Sequence, residues 1–290
     1  MEELLKKLQD SVSASSFKQY SGIYKKLNLD TPADLKNTDK LMKAVDEKKT
    51  PNTAKNYLAA IVKLMRVAEL DDEYIKPFVE RMNNKIEETK PSPEWNEKQK
   101  ANLMSLEEIE TKRDNLIKGI TNFQNRENYD KLLNHMILSL YTMIPPRRNE
   151  YYNMEIIKSP SEIQEGKNYL LWRHKNKQFI FQNYKTSKKY GKQVEPIPQR
   201  LQYVIDHYLK QREKIALSSN RFLVKYGDLD IENSNELTRR LNKVLGKNVA
   251  ASMLRHIYLT ETLGDTVSKM EELAADMGHS VSQQREYIKK

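Results

Sequence analysis

Three short runs are the only stretches of this chain with convincing strand character: NYLLW at 168–172, QFIFQNY at 178–184 and QVEPIP at 193–198. Aromatic and aliphatic residues crowd into segments too short for a helix and bounded by turn residues. TSKKYGK, between the last two, reads as a basic hairpin tip. Elsewhere apolar residues recur at spacings of three and four, the helical period. The expected fold class is therefore mainly α with a small antiparallel β-sheet.

The N-terminal part reads as all helix. SASSFKQYSGIYKKLNL opens on serines suited to N-capping, and Phe17, Tyr20, Ile23, Tyr24 and Leu27 follow at helical spacing. DTPADLKNTDKLMKAVDEK gives a short helix or turn and then a second helix. In TPNTAKNYLAAIVKLMRVAEL, Leu58, Ile61, Val62, Met65 and Ala68 share one face. Lys55, Lys63 and Arg66 lie largely off it, either as a solvated surface or as contacts to a polyanion. A polar stretch with Pro91 and Pro93 follows. The expected organisation is a helical domain over 1–88, a linker over 89–104 and a second domain over 105–290.

The second domain begins on Ser105 and Glu108, an S-x-x-E capping pattern. Leu132, Leu133, Met136, Ile137, Leu140, Tyr141 and Ile144 then mark an apolar helix that stops at Pro145-Pro146, because proline lacks the amide donor and restricts its predecessor. After the strands the chain is helical again. Ser234 can cap a helix ending at Gly246, and Ser268 with Glu271 suggests a second capping box before a helix ending at Gly278.

Composition bounds the partners. The 290 residues carry 50 Lys+Arg against 40 Asp+Glu, a net charge of +10 that suggests a polyanion, nucleic acid or an anionic surface. No run of about 18 apolar residues could span a membrane, and MEELLKKLQD is not a secretory signal. With no cysteine, disulfides, thiolate nucleophiles and Cys-ligated zinc are excluded. The five histidines form no H-x-x-x-H or H-E-x-x-H pair, so neither a metal site nor a cofactor is expected.

Four separated features carry chemistry. PPRRNEYYNMEI places Arg147 just after an apolar helix; NYKTSKKYGKQVEPIP places Lys185 at a strand end. ASMLRHIYL places Arg255 in an apolar stretch, and MGHS precedes Tyr287 by a short interval. These are the parts of metal-free phosphoryl transfer. Two guanidiniums can hold the equatorial oxygens, an imidazole can donate a further hydrogen bond, a lysine can protonate a leaving alkoxide, and a tyrosine can attack to form a phosphoester.

On these residues the chain resembles the tyrosine recombinases of the phage-integrase family. Arg147-Arg148-Asn149-Glu150 is similar to the family's R-x-x-E, Leu254-Arg255-His256 to the core of H-x-L-R-H, Met277-Gly278-His279-Ser280 to L-G-H-S, and Lys185-Thr186 to the β-hairpin lysine. The motifs cover roughly 105–290; the N-terminal half fits the family's helical core-binding domain in character only. The resemblance implies a helical core-type DNA-binding domain and an α+β catalytic domain. Arg147 and Arg255 would bind the scissile phosphate, Lys185 would act as general acid, His279 would bond a non-bridging oxygen, and Tyr287 would be the nucleophile forming a 3′-phosphotyrosine. Glu150 would orient the arginine.

It implies double-stranded DNA as partner, clamped by the two domains. A homotetramer would form on synapsed DNA, with a monomer or weak oligomer off it. Lys188, Lys189, Lys192, Arg148, Lys55 and Lys63 are candidate backbone contacts, and no membrane is involved. The location would be intracellular and with DNA: a bacterial cytoplasm, or a host nucleus or virus factory for a viral element.

Three departures stand out. Ser252 occupies the place of the first histidine of H-x-L-R-H, as a catalytic group or as a cap of the Arg255 helix. His279 and Tyr287 are eight residues apart, against a commoner nine. Only Ile288, Lys289 and Lys290 follow the tyrosine, where many relatives carry a further helix, so the expectation is a truncated chain or assembly through another surface. Tyr258, three residues after Arg255, is a rival nucleophile that reads as core. Two other functions stay open: a type IB topoisomerase-like or hairpin-resolving enzyme, and a catalytically silent DNA-binding protein of the same fold.

Overall fold

The computed structural model describes residues 2–90, 92, 94–215 and 218–288. Pro91, Pro93, Lys289 and Lys290 of the readings above lie outside the described residues. The chain divides into two compact units, Met1–Glu94 and Trp95–Lys290.

Among the described residues the first unit has five α-helices, α1 (Glu2–Ser11), α2 (Ala14–Lys26), α3 (Thr38–Asp46), α4 (Pro51–Val67) and α5 (Asp72–Glu88), with a short 3-10 helix at Pro32–Lys36 between α2 and α3. Ser13 caps α2 by accepting from the Ser16 amide, and Thr50 caps α4 ahead of Pro51, whose missing N–H costs nothing in the first turn. α4 is the central helix. Ala54, Tyr57, Leu58, Ile61, Val62 and Met65 are all buried, a face wider than one apolar stripe because α1, α2, α3 and α5 all pack on it.

The second unit contains α6 (Glu97–Asn102), α7 (Leu106–Asn115), α8 (Arg126–Thr142), β1 (Glu155–Ile157), β2 (Tyr169–Trp172), β3 (Lys177–Phe181), α9 (Ser187–Tyr190), β4 (Gln193–Pro196), α10 (Gln199–Lys214), β5 (Val224–Lys225), β6 (Leu229–Asp230), α11 (Ser234–Leu245), α12 (Ala251–Asp276) and α13 (Val281–Tyr287). α6 thus occupies part of the stretch expected as linker. The Ser105–Glu108 box forms in both directions and starts α7. α8 is buried on all sides from Leu132 to Thr142, with α7, α10, α11 and α12 around it.

The chain is mainly α, and the strand-like runs form the sheet. β2, β3 and β4 are antiparallel neighbours; β1, which the sequence pattern did not reveal, joins the far edge parallel to β2. A three-residue strand carries too little pattern to be read, and β5–β6, two residues each, went unseen for the same reason. Alternation splits the sheet. Leu170, Phe179 and Phe181 enter the main core, whereas Tyr169, Leu171 and Ile180 form a second small cluster with Ile157.

Three local readings need correction. The basic hairpin tip is a single helical turn, α9, closed by Gly191 at φ +65°. α11 is capped by Asn233 rather than Ser234. The Ser268–Glu271 pair caps nothing: α12 runs without a break for 26 residues through Gly264 and Ser268 to Asp276. A local capping signal is worth about 1 kcal/mol, similar to the cost of one mid-helix glycine, so continuation of the helix is not locally forbidden.

Candidate active site

Arg147 leaves α8 across Pro145-Pro146, and that segment is pinned. The Tyr141 hydroxyl on α8 donates to the Arg148 carbonyl at 2.8 Å, and the Asn149 side-chain amide donates to the Ser234 carbonyl at 3.1 Å. Arg255 sits in the second turn of α12, where Leu254 and Ile257 are buried beside it. These two segments, more than a hundred residues apart in sequence, meet at the sheet edge. They line one cleft of about 400 Å³ together with Glu150 and with Tyr184, Thr186, Tyr190, Gln193 and Glu195 from β4 and the segment before it.

The Arg147 side chain is only 15% exposed and held on three sides. Its guanidinium lies 3.8 Å from the Phe181 ring centre and 5.2 Å from that of Tyr184. Nη1 donates to Glu195 Oε1, and Nη2 donates to Gln193 Oε1 at 2.8 Å. A planar cation stacked on an aromatic face and bonded in its plane is a rigid donor set. Arg148 is exposed and Arg255 half-buried; neither side chain has a partner among the described residues.

Glu150 differs from expectation. It lines the cleft, but its buried Oε2 has no hydrogen-bond partner and it makes no ion pair among the described residues. The carboxylate on Arg147 is Glu195. Below them Tyr151 is fully buried; burial pushes its phenol well above the usual range, Arg147 pulls it back, and Glu195 and Glu150 raise it further. Tyr151 is therefore neutral support for Phe179 and Phe181, on which its ring packs edge-on.

The other expected residues fall into three places. Lys185 is exposed at the rim, between the cleft residues Tyr184 and Thr186; Lys188, Lys189 and Lys192 are exposed on α9 and just beyond it. Ser252 lies outside the cleft, in a separate depression of about 190 Å³ with Asn96, Asn102 and His256. It does not cap α12, whose N-cap is Ala250, so the capping alternative fails. His256 packs against Trp95, and Tyr258 is half-buried outside the main core cluster.

His279 and Tyr287 come together, with ring centres 5.8 Å apart, but not at the cleft. The uninterrupted α12 carries them away: the 21 residues from Arg255 to Asp276 rise about 32 Å. From Tyr258 to Leu273 no residue of that helix is buried, and Leu259, Leu263, Val267 and Leu273 are 44–51% exposed, an apolar stripe without a partner among the described residues. His279 Nε2 is buried without a hydrogen-bond partner, and Tyr287 is 65% exposed.

In the first unit, the Lys55 ammonium donates to Thr89 Oγ1 at 2.7 Å, a structural bond that ties α4 to the end of α5. Lys63 is half-buried on α4 with no partner among the described residues. No group of three or more His, Asp or Glu side chains among the described residues could hold a metal ion. No helix is long and apolar enough to cross a membrane.

Sequence reasoning did not single out Glu195, Gln193, Tyr184 or Tyr190. The available signal was the strand period: Gln193 and Glu195 are two apart on β4, directly across from Phe181 and Phe179 on β3, and so share the face that meets Arg147.

No family model matches the sequence, and no curated protein matches it. Among solved structures, the chain is similar to one described as the crystal structure of XerA recombinase, at 14% identity and a TM-score of 0.36, over 98% of this chain and 92% of that one.

Proposed function

We propose that the protein cleaves and rejoins DNA through a 3′-phosphotyrosine intermediate without a metal, as a site-specific recombinase or integrase. The observation that carries the reading is the meeting of Arg147, Arg148 and Arg255, from distant segments, in one cleft in which two of the three guanidiniums lack a partner among the described residues. The unpaired, half-buried guanidinium of Arg255 is costly unless an anion arrives, and a phosphodiester fits the fork geometry of arginine.

In this reading Arg147 and Arg255 bind the non-bridging oxygens of the scissile phosphate, and their charge stabilises the pentavalent state. The Tyr287 hydroxyl gives up its proton to solvent and attacks phosphorus; the Tyr–O–P bond forms as the P–O5′ bond breaks. Lys185, on the rim, gives its proton to the departing 5′-oxygen. His279 travels with Tyr287 and donates to a non-bridging oxygen. Both must reach the cleft, and we infer that α12 breaks near Gly264–Ser268, where its apolar stripe is unpartnered and the sequence carries stop and start signals. The basic α9 turn, with Lys188, Lys189 and Lys192, would lie along the DNA backbone, as would Lys63 of the helical unit. The resemblance adds synapsis as a homotetramer.

The test is a nicked or bridging-phosphorothiolate suicide duplex carrying candidate element ends, incubated without divalent metal and run on a denaturing gel. A covalent band that maps to Tyr287 and vanishes in Tyr287→Phe, with DNA binding retained, is the expected result. A band that survives the substitution would refute the assignment. One observation favours a second reading, a DNA-binding protein of this fold that does not cut: the distance between Tyr287 and the arginines. Tight binding with no adduct from the wild type would establish it.

A further inference from the structure

Of the cleft's three arginines, only Arg147 already has an anion. Its partner Glu195 stands on the edge strand β4, two residues from Gln193, so both side chains leave the same face of the strand and meet the two terminal nitrogens of one guanidinium. Phe181 covers the guanidinium from below at 3.8 Å, so it cannot swing aside to meet a ligand elsewhere. The Glu195 side chain is 42% exposed, against 15% for Arg147: the carboxylate is open to solvent while the arginine is largely enclosed. The other carboxylate in the cleft, Glu150, bonds none of the arginines.

We propose that Glu195 is the cleft's resident counter-anion: it occupies Arg147 in the DNA-free protein, and an incoming phosphodiester must compete with it. The inference rests on the reading of the cleft as a phosphodiester site and deepens it, because it names what sets the cleft's affinity. A guanidinium as enclosed as that of Arg147, with 15% of its side chain exposed, is costly when left bare. Glu195 neutralises it until substrate arrives and thereby weakens the capture of any stray phosphate. With both glutamates ionised, the three arginines leave the cleft at +1; neutralising Glu195 raises it to +2.

The experiment uses the full chain and inorganic phosphate as probe. Glu195→Gln keeps the shape and a hydrogen-bond acceptor for Nη1 but removes the charge. Removing the Coulomb repulsion between the Glu195 carboxylate and a phosphate at this partly exposed site predicts phosphate binding roughly three- to thirtyfold tighter than wild type by calorimetry. Equal or weaker binding by a folded variant overturns the proposal and makes Glu195 a clamp that holds Arg147 in place. A second measurement needs no variant: in wild type labelled with carboxyl-¹³C glutamate, saturating phosphate should move the Glu195 signal, and an unmoved signal overturns the proposal. Adduct formation is read separately on the suicide duplex. Tighter phosphate binding with no Tyr287 adduct keeps the counter-anion and removes the strand-transfer reading; an adduct with unchanged phosphate affinity does the reverse.

Discussion

Gly264→Ala should stabilise α12 and slow covalent adduct formation. Gly264 lies in the middle of the helix, and a Cβ built there would meet only Thr260 Cγ2, at an ordinary 3.9 Å. Alanine is better than glycine in a helix interior by about 0.8–1.0 kcal/mol, and nothing in the packing opposes it. The straight helix is the state that puts its own end, Asp276, about 32 Å along α12 from Arg255, with Tyr287 on the helix that follows. If the active state needs a break here, stabilising the straight helix by about 1 kcal/mol makes that state about fivefold rarer. If Gly264 becomes the left-handed residue that closes the shortened helix, the alanine costs about 1 kcal/mol more in the broken state. The total then approaches thirtyfold. The assay is single-turnover adduct formation on a nicked duplex, with urea unfolding by circular dichroism as the control for helix stability. A stabilised protein that forms adduct at the wild-type rate would refute the bending argument. Mixing Arg255→Ala with Tyr287→Phe then asks the remaining question: an adduct formed only by the mixture means that the tyrosine serves the cleft of a second copy.

Two further predictions follow from the rim and the core. Lys185→Ala should slow adduct formation by about a hundredfold or more and be rescued by a 5′-sulfur leaving group, which needs no proton; Lys189→Ala should instead weaken DNA binding and lower its salt slope by about one, with cleavage at saturation unchanged. The second concerns acid stability. His135 is buried in α8, and burial first, then the Arg113 guanidinium, pushes its pKa down to about 4 from 6.5. The folded value is depressed, so between pH 6.5 and 4 the unfolded chain binds the extra proton. The stabilisation is complete above pH 6.5 and falls by about 3 kcal/mol as pH drops to 4. Urea melts of His135→Gln against wild type should show that slope flattened in the variant; equal slopes would refute the assignment to His135.

The sequence by itself determined most of what is local. Helical periodicity placed α4 and α8, the proline pair ended α8, the Ser105–Glu108 box started α7, and aromatic clustering gave β2, β3 and β4. Each of these depends on neighbours a few residues away, and such signals are written along the chain. Arg147 and Arg255 were singled out as guanidiniums beside apolar helices; Arg147 follows the buried helix α8, and Arg255 lies in α12 between the buried Leu254 and Ile257.

Tertiary structure decided what depends on distant partners. Only the register of β3 against β4 brings Glu195 and Gln193 onto Arg147, because pairing across strands is invisible in one strand's pattern. Only packing separated Ser252 from the arginine cleft: three places from Arg255 it shares that side of the helix by spacing, yet it lines a different depression, with Asn96, Asn102 and His256. The sharpest divide lies in α12. Its sequence holds a glycine and a capping pattern at mid-length, worth about 1 kcal/mol each, against the backbone hydrogen bonds of a continuous helix. Local terms that nearly balance cannot settle such a choice; contacts must, and in this structure no buried contact draws the distal half of α12 back toward the arginines.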